Sequence, residues 1–233
     1  MFHANIYVQS QRIDISMTNY TQRRVTMVDT QVRTQDVTKF PIIHAMLSVP
    51  KEAYVPNALR DLAYIGGPLD LGDGRQVLDP RGMAKLLDLL DITPDSVVLA
   101  LGDGTGYAAA LLAHMAQAVV AVEENEFLAR EAEVALNAQE VGNAVVIHGH
   151  MAAGNVKNGP YDAVAIFGGV ETVPTALIDQ VKEGGRIAAV FTDGPLGEAR
   201  VGLKTAGRLS WRAAFNTAAT VLPGFTKSPS FVF

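Results

Sequence analysis

Apolar positions divide the chain into stretches of different period. From Tyr20 to Val37 the residues Val25, Val28 and Val32 recur at helical spacing, and a second apolar stretch runs from Phe40 to Leu47, so two short helices are predicted to open the fold. Between Ser48 and Pro80 the periodicity breaks among prolines and glycines: Val49-Pro50-Lys51-Glu52-Ala53-Tyr54-Val55-Pro56, Gly66-Gly67-Pro68 and Gly72-Asp73-Gly74. That composition predicts loops and short edge strands. Pro80 suits the first turn of a helix over Arg81 to Leu90, where its missing N–H is not needed.

From Ser96 the pattern alternates. Short apolar runs at Ser96 to Leu101, Ala118 to Val122, Ala144 to His148, Tyr161 to Phe167 and Gly185 to Phe191 read as buried strands. Helical stretches at Tyr107 to Met115, Asn125 to Glu140 and Pro174 to Val181 lie between them. Strand–helix alternation predicts an α/β fold: a Rossmann-like, doubly wound, mostly parallel sheet with right-handed crossovers. The tail from Arg200 reads as one or two antiparallel strands, Leu209 to Phe215 and Thr220 to Leu222. The expected organisation is a leader at 1–19, with Met17 a candidate natural start, a helical and loop cap at 20–95, and a cofactor-binding domain at 96–233 that forms one compact unit with the cap.

Composition narrows the chemistry. With 48% apolar and 18% charged residues among 233, the chain can bury a sizeable core. It carries 24 acidic against 19 basic residues, a net charge of −5, which supplies no footprint for nucleic acid or an anionic membrane and leaves small molecules or proteins as partners. Cysteine is absent and the five histidines show no HExxH spacing, so disulfides, thiolate zinc and thiol nucleophiles are excluded and no metal is expected. The longest uncharged run, Gly104 to Val122, is interrupted by Gly106, His114 and Gln117 and fails as a membrane span. The first 16 residues lack a basic stretch followed by an apolar one, and a cytoplasmic location is expected.

The candidate chemistry begins where the first strand of the sheet ends, in Gly102-Asp103-Gly104-Thr105-Gly106-Tyr107. Glycines at the carboxyl edge of a parallel sheet let a ligand approach the backbone, with helix amides behind it. The dinucleotide fingerprint would need a third glycine at Tyr107, so the loop fits S-adenosylmethionine better than a nicotinamide cofactor; it also serves as a plain strand–helix turn. The next strand closes on Glu123, with Glu124 beside it, where a carboxylate can accept ribose hydroxyls.

Taken together, several segments resemble one family. Met27-Val28-Asp29-Thr30-Gln31-Val32-Arg33, the Val49 to Pro56 segment, Pro68-Leu69 with Gly72 and Gly74, Val98-Leu99 through Gly106-Tyr107, Val122-Glu123, and Leu177 to Gly185-Arg186 are similar in content and order to protein-L-isoaspartate O-methyltransferases, over about Tyr20 to Phe191. The resemblance implies a class I methyltransferase that uses S-adenosyl-L-methionine to esterify isoaspartyl carboxylates of damaged proteins. Gly102, Asp103, Gly104, Thr105, Gly106, Glu123, Glu124, His150 and Met151 would then bind the cofactor, and Gln76, Val77, Leu78 and Asp79 would form the reaction loop.

Three positions depart from the family pattern. Where the family reads Gly-Gln-Thr-Ile-Ser-Gln-Pro, this chain reads Gly74-Arg75-Gln76-Val77-Leu78-Asp79-Pro80, which puts Leu78 in place of a serine hydroxyl. Ala100 replaces an acidic residue before the glycine loop, and Gly149-His150-Met151 replaces Gly-Asp-Gly at the adenine side. Methylation of an ionised carboxylate needs positioning and water exclusion rather than a general base, so the loss of the hydroxyl leaves two alternatives open: an altered methyl acceptor, or a non-catalytic cofactor-binding scaffold. Arg75 and Arg81 flank the changed loop and are candidates to pair with an acceptor carboxylate or to be solvated loop residues, while Asp79 doubles as a candidate helix N-cap.

Overall fold

The computed structural model describes residues 19–192 and 197–227; the expected leader and the candidate start at Met17 lie outside them. Helix α1 (residues 19–27) widens into a π-turn at Val28–Val32 and tightens at Arg33–Gln35, and α2 spans Phe40–Ser48. The hydroxyls of Thr30 and Thr34 donate to the carbonyls of Thr26 and Thr30, four residues back, at 2.7 and 2.8 Å. Such back-bonding competes with the helical ladder, and here it accompanies the change in pitch. The Pro- and Gly-rich stretch forms short 3₁₀ turns and then a hairpin of β1 (Leu69–Gly72) and β2 (Arg75–Val77), as its composition predicts. Asp73 and Gly74 turn the hairpin at φ 49° and 71°. Helix α3 (Pro80–Leu90) follows, with Pro80 in its first turn and the Asp79 carboxylate accepting from Gly82 N at 2.9 Å as the N-cap.

The central sheet has seven strands. Their spatial order is β5 (Ala144–His148), β4 (Ala118–Glu123), β3 (Val97–Leu101), β6 (Tyr161–Val170), β7 (Val181–Phe191), β8 (Glu198–Thr205) and β9 (Arg208–Asn216). The first five are mutually parallel, and β8 and β9 add antiparallel. Helices α4 (Tyr107–Ala113), α5 (Glu126–Ala138) and α6 (Thr175–Asp179) connect the parallel strands. Strand alternation sets the two faces. Val98 and Ala100 of β3 and Val119 and Ala121 of β4 join an apolar cluster that includes Met27, Val32, Ile43 and Met46 from the N-terminal helices. Leu99, Leu101, Val120 and Val122 face the other way, into a cluster with Ile166, Ile187 and Leu222. Burial on both faces explains why these strands read as continuous apolar runs. The order of connection reverses between β3 and β6, so the glycine loop after β3 sits at the switch point where such sheets bind ligands.

The antiparallel C-terminal strands are present, with one strand that the apolar runs do not mark and one expectation corrected. The antiparallel partner of β9 is β8, whose alternation of Glu198, Arg200 and Lys204 with Ala199 and Val201 puts one face on the core and hides the strand from a search for apolar runs. Thr220 to Leu222 is no antiparallel strand: Val221 makes an isolated parallel bridge to Gly169. Among the described residues no helix is long and apolar enough to cross a membrane.

Candidate cofactor site

The loop from Gly102 to Gly106 carries the chain from β3 into α4. Gly106 has φ +91°, and a Cβ there would lie 3.3 Å from the α5 backbone at Ala132, so both the conformation and the close approach of the two helices require glycine. Asp103 turns inward. Its oxygens accept from Ala108 N at 2.7 Å and Ala109 N at 2.8 Å, which satisfies amides that the first turn of α4 leaves open. Burial pushes this carboxyl up to about 6, with the two amide bonds pulling it back down. Among the residues read as cofactor ligands, Asp103 therefore has its carboxylate committed to its own helix. Thr105 is buried nearby, and its Oγ1 has no hydrogen-bond partner among the described residues.

Glu123 ends β4 beside this loop and is 3% exposed. Its Oε1 accepts from Asn125 N at 3.0 Å and its Oε2 from Gly104 N at 3.1 Å. Oε2 also accepts from Nη2 of Arg75, forming an ion pair in which both side chains are 4% exposed. Arg75 reaches this point from β2; its Nη1 lies 3.8 Å from the Met151 sulfur and its Nε has no partner among the described residues. A cavity of about 230 Å³ opens against Arg75, Glu123, Glu124 and Met151. At its outer edge His150 Nδ1 lies 2.9 Å from Glu124 Oε1, and His148 Nε2 lies 3.1 Å from the Glu124 carbonyl. Glu123, Glu124 and Met151 are thus brought together on one cavity, and His150 reaches it through Glu124.

The reaction-loop candidates separate. Val77 and Leu78 are each 2% exposed and belong to the main apolar cluster, so both side chains are packed among core residues. The hairpin hands its apolar residues to the core just before α3 starts, and Leu78 follows that pattern. Asp79 caps α3. Gln76 is half-buried in β2, its Oε1 3.5 Å from the Thr220 hydroxyl and its buried Nε2 without a partner among the described residues.

Two contributors escaped the reading of the sequence. Leu222 packs on the glycines: a Cβ at Gly102 would come within 2.5 Å of its Cδ1 and one at Gly168 within 2.5 Å of its Cγ. The tail that carries it is bonded to β6 through Gly169 N to Thr220 O at 2.7 Å and Leu222 N to Gly169 O at 2.9 Å. Leu71 of the hairpin covers Gly104 in the same way, 2.8 Å from where a Cβ would stand. Arg75 was visible as a loop arginine but not as the partner of Glu123, from which 48 positions separate it.

Comparison with known proteins gives consistent matches. Residues 22–198 match the family model "Protein-L-isoaspartate(D-aspartate) O-methyltransferase (PCMT)". Protein-L-isoaspartate O-methyltransferase 1 of Rhodopseudomonas palustris (strain HaA2) is 36% identical over 170 residues, 73% of this chain and 69% of that protein. The protein-L-isoaspartate O-methyltransferase of Serratia proteamaculans (strain 568) is 33% identical over 182 residues, 78% of this chain and 85% of that one. Among solved structures, one protein-L-isoaspartate O-methyltransferase superposes with a TM-score of 0.76 at 23% identity, over 86% of this chain and 66% of its own. A second, described as a beta-aspartate methyltransferase from Plasmodium falciparum and solved in complex with S-adenosyl-L-homocysteine, superposes with a TM-score of 0.71 at 17% identity, over 87% and 97%. At these identities the two structures speak for the fold.

Proposed function

The chain belongs to the protein-L-isoaspartate O-methyltransferase family, and on that premise we propose that it transfers a methyl group from S-adenosyl-L-methionine to an isoaspartyl carboxylate of a protein or peptide. The observation that carries this reading is Glu123: a buried carboxylate at the carboxyl edge of the sheet, oriented by the amides of Asn125 and of Gly104 in the loop at the switch point, and lining a cavity shared with Arg75 and Met151. A fixed carboxylate in that position suits a ribose diol. Glycine at 104 and 106 lets the loop turn tightly beneath Leu71 and against α5, and the buried, unpartnered donors Arg75 Nε and Thr105 Oγ1 suit a polar ligand better than an apolar one.

When bound, the cofactor supplies an electrophilic methyl group that an ionised carboxylate can take without a general base. The residues of this chain then have three tasks. Glu123 holds the ribose, with Met151, Glu124 and His150 beside it for the base. Asp103 fixes the start of α4 and so the shape of the glycine loop. Leu71 and Leu222, packed against Gly104 and Gly102, keep water from the reacting groups. With Leu78 in the core, positioning of the acceptor falls to polar groups on the hairpin and tail, Gln76 and Thr220 among them.

The test is tritiated methyl transfer to an isoaspartyl peptide, with its aspartyl isomer as control, alongside calorimetry with S-adenosylhomocysteine. Base-labile label on the isoaspartyl peptide alone is expected. Binding of S-adenosylhomocysteine without transfer would point to the scaffold alternative, and no heat at millimolar ligand would reject the cofactor assignment.

A further inference from the structure

Glu123 has more claims on it than lone pairs. A carboxylate offers about four acceptor positions, and three are taken, by Asn125 N, Gly104 N and Arg75 Nη2. A ribose diol needs two. Of the three donors present, the two amides are backbone and fixed by the turn into α5 and by the glycine loop, so Arg75 is the donor that can leave. The cavity agrees: at about 230 Å³ it falls below the roughly 300–1,000 Å³ of ordinary small-molecule sites, and the Arg75 side chain lines it.

Once parted from Glu123, the guanidinium, 4% exposed, would keep the Met151 sulfur at 3.8 Å and a bare Nε; Asp103 lies close enough to feel its charge, but both Asp103 oxygens are held by α4 amides, and Glu124 is engaged by His150. A buried cation without an anion is strongly disfavoured, so release from one carboxylate requires another. We infer that Arg75 exchanges carboxylates: it competes with the ribose for Glu123 and, when Glu123 turns to the ribose, pairs with a carboxylate of the bound ligands. Two ligand carboxylates exist in the reaction proposed above, on which this inference rests: that of the methyl acceptor and that at the amino-acid end of the cofactor. Arg75 is thus a positioning residue that sets cofactor affinity through Glu123 and makes the site select an anion.

The experiment titrates S-adenosylhomocysteine and 5′-methylthioadenosine, which keeps the ribose but lacks the amino-acid end, into wild type and Arg75→Gln at pH 8. Removing the competitor should tighten methylthioadenosine by about tenfold, the order of one charge-assisted hydrogen bond. If S-adenosylhomocysteine gains equally and KM for an isoaspartyl peptide rises while kcat holds, the second carboxylate is the acceptor's, and Arg75→Lys should restore KM in part. If the gain is lost for S-adenosylhomocysteine alone, the carboxylate is the cofactor's own. Unchanged or weaker methylthioadenosine binding in Arg75→Gln overturns the inference. Should that variant melt below the titration temperature, Arg75→Lys decides, because a point charge holds Glu123 less well than a guanidinium: a gain of about threefold supports exchange and no gain overturns it. Silence from wild type and variants with both ligands rejects the cofactor reading itself, whereas a binding wild type matched by its variants rejects only the exchange.

Discussion

Lys51 lies with its ammonium 5.6 Å from the centroid of the Tyr107 ring, 1% exposed and without a hydrogen-bond partner among the described residues. Burial lowers it to about 8, while Asp79 pulls it upward. The sign follows from the proton count. Below about 8 the native state must carry the buried charge and its cost is present in full; from there to the ordinary value of 10.5 the unfolded chain holds a proton that the native state has shed, so stability rises with pH. Lys51→Met is therefore expected to raise unfolding free energy at pH 7 by about 1–3 kcal/mol, with the gap closing toward pH 10. Urea melts at both pH values check it, and a variant less stable than wild type at pH 7 would mean that the ammonium has a favourable partner.

Asp103 gives the opposite slope. Its carboxyl is raised from 3.8 to about 6, so between those values the native state binds a proton that the unfolded chain has released, and stability falls as pH rises through the window. Above about 6 the cost is complete. Asp103→Asn cannot titrate, and its amide can accept from only one of the two α4 amides, so the variant should be less stable at every pH for want of the cap. The advantage of wild type over the variant should shrink by about 2–3 kcal/mol from pH 4 to pH 7, at roughly 1.4 kcal/mol per unit. Parallel melting profiles across that range would show that the carboxyl does not titrate there.

How far the chain announces this structure depends on distance along it. β5 falls at Ala144–His148, the residues its apolar run marks, and Pro80 and Asp79 start α3 as their types require. The glycine loop and Glu123 were legible because strand, turn, helix and strand follow one another locally. The pair of Arg75 with Glu123 was not, since it depends on where a hairpin docks after the sheet has formed. Leu222 was hidden for the same reason: its meaning lies in the faces of Gly102 and Gly168, which look like loop flexibility in sequence and are packing surfaces in space. The burial of Leu78 was not legible because a motif position says which residue stands there, whereas its 2% exposure follows from apolar neighbours that recruit it to the core.

That burial makes a prediction about restoring the loop. Leu78→Ser removes a core side chain and puts a hydroxyl among apolar groups, so the protein should lose about 2–5 kcal/mol, as large-to-small core substitutions do. Gln76→Thr is made at a partly exposed position and should cost under about 1 kcal/mol. Thermal melts of each variant, followed by methyl-transfer assays on those that remain folded, separate the effects. A Leu78→Ser variant as stable as wild type would return Leu78 to the ligand cleft.

The contact of Leu222 with Gly168 can be isolated because the backbone does not confuse it. Gly102 has φ +74°, so an alanine there would be strained even with space to spare. Gly168 lies outside the left-handed set, and the obstacle to a methyl group there is Leu222, whose Cγ and Cδ2 would stand 2.5 and 2.6 Å away. Gly168→Ala should therefore destabilise by about 1–3 kcal/mol through overpacking, and Leu222→Ala, at 3% exposure, by about 2–4 kcal/mol through the space it vacates. Combined, the new methyl enters the space the leucine has left. The double variant should consequently lose at least about 1 kcal/mol less than the two single losses added together, a coupling of the kind that double-mutant cycles resolve. Chemical denaturation of the four proteins measures it directly. Strict additivity would mean that the tail can lift Leu222 away from the sheet at little cost, and that the leucine is not the packed cover over the glycine loop that the contacts at Gly102 and Gly168 describe.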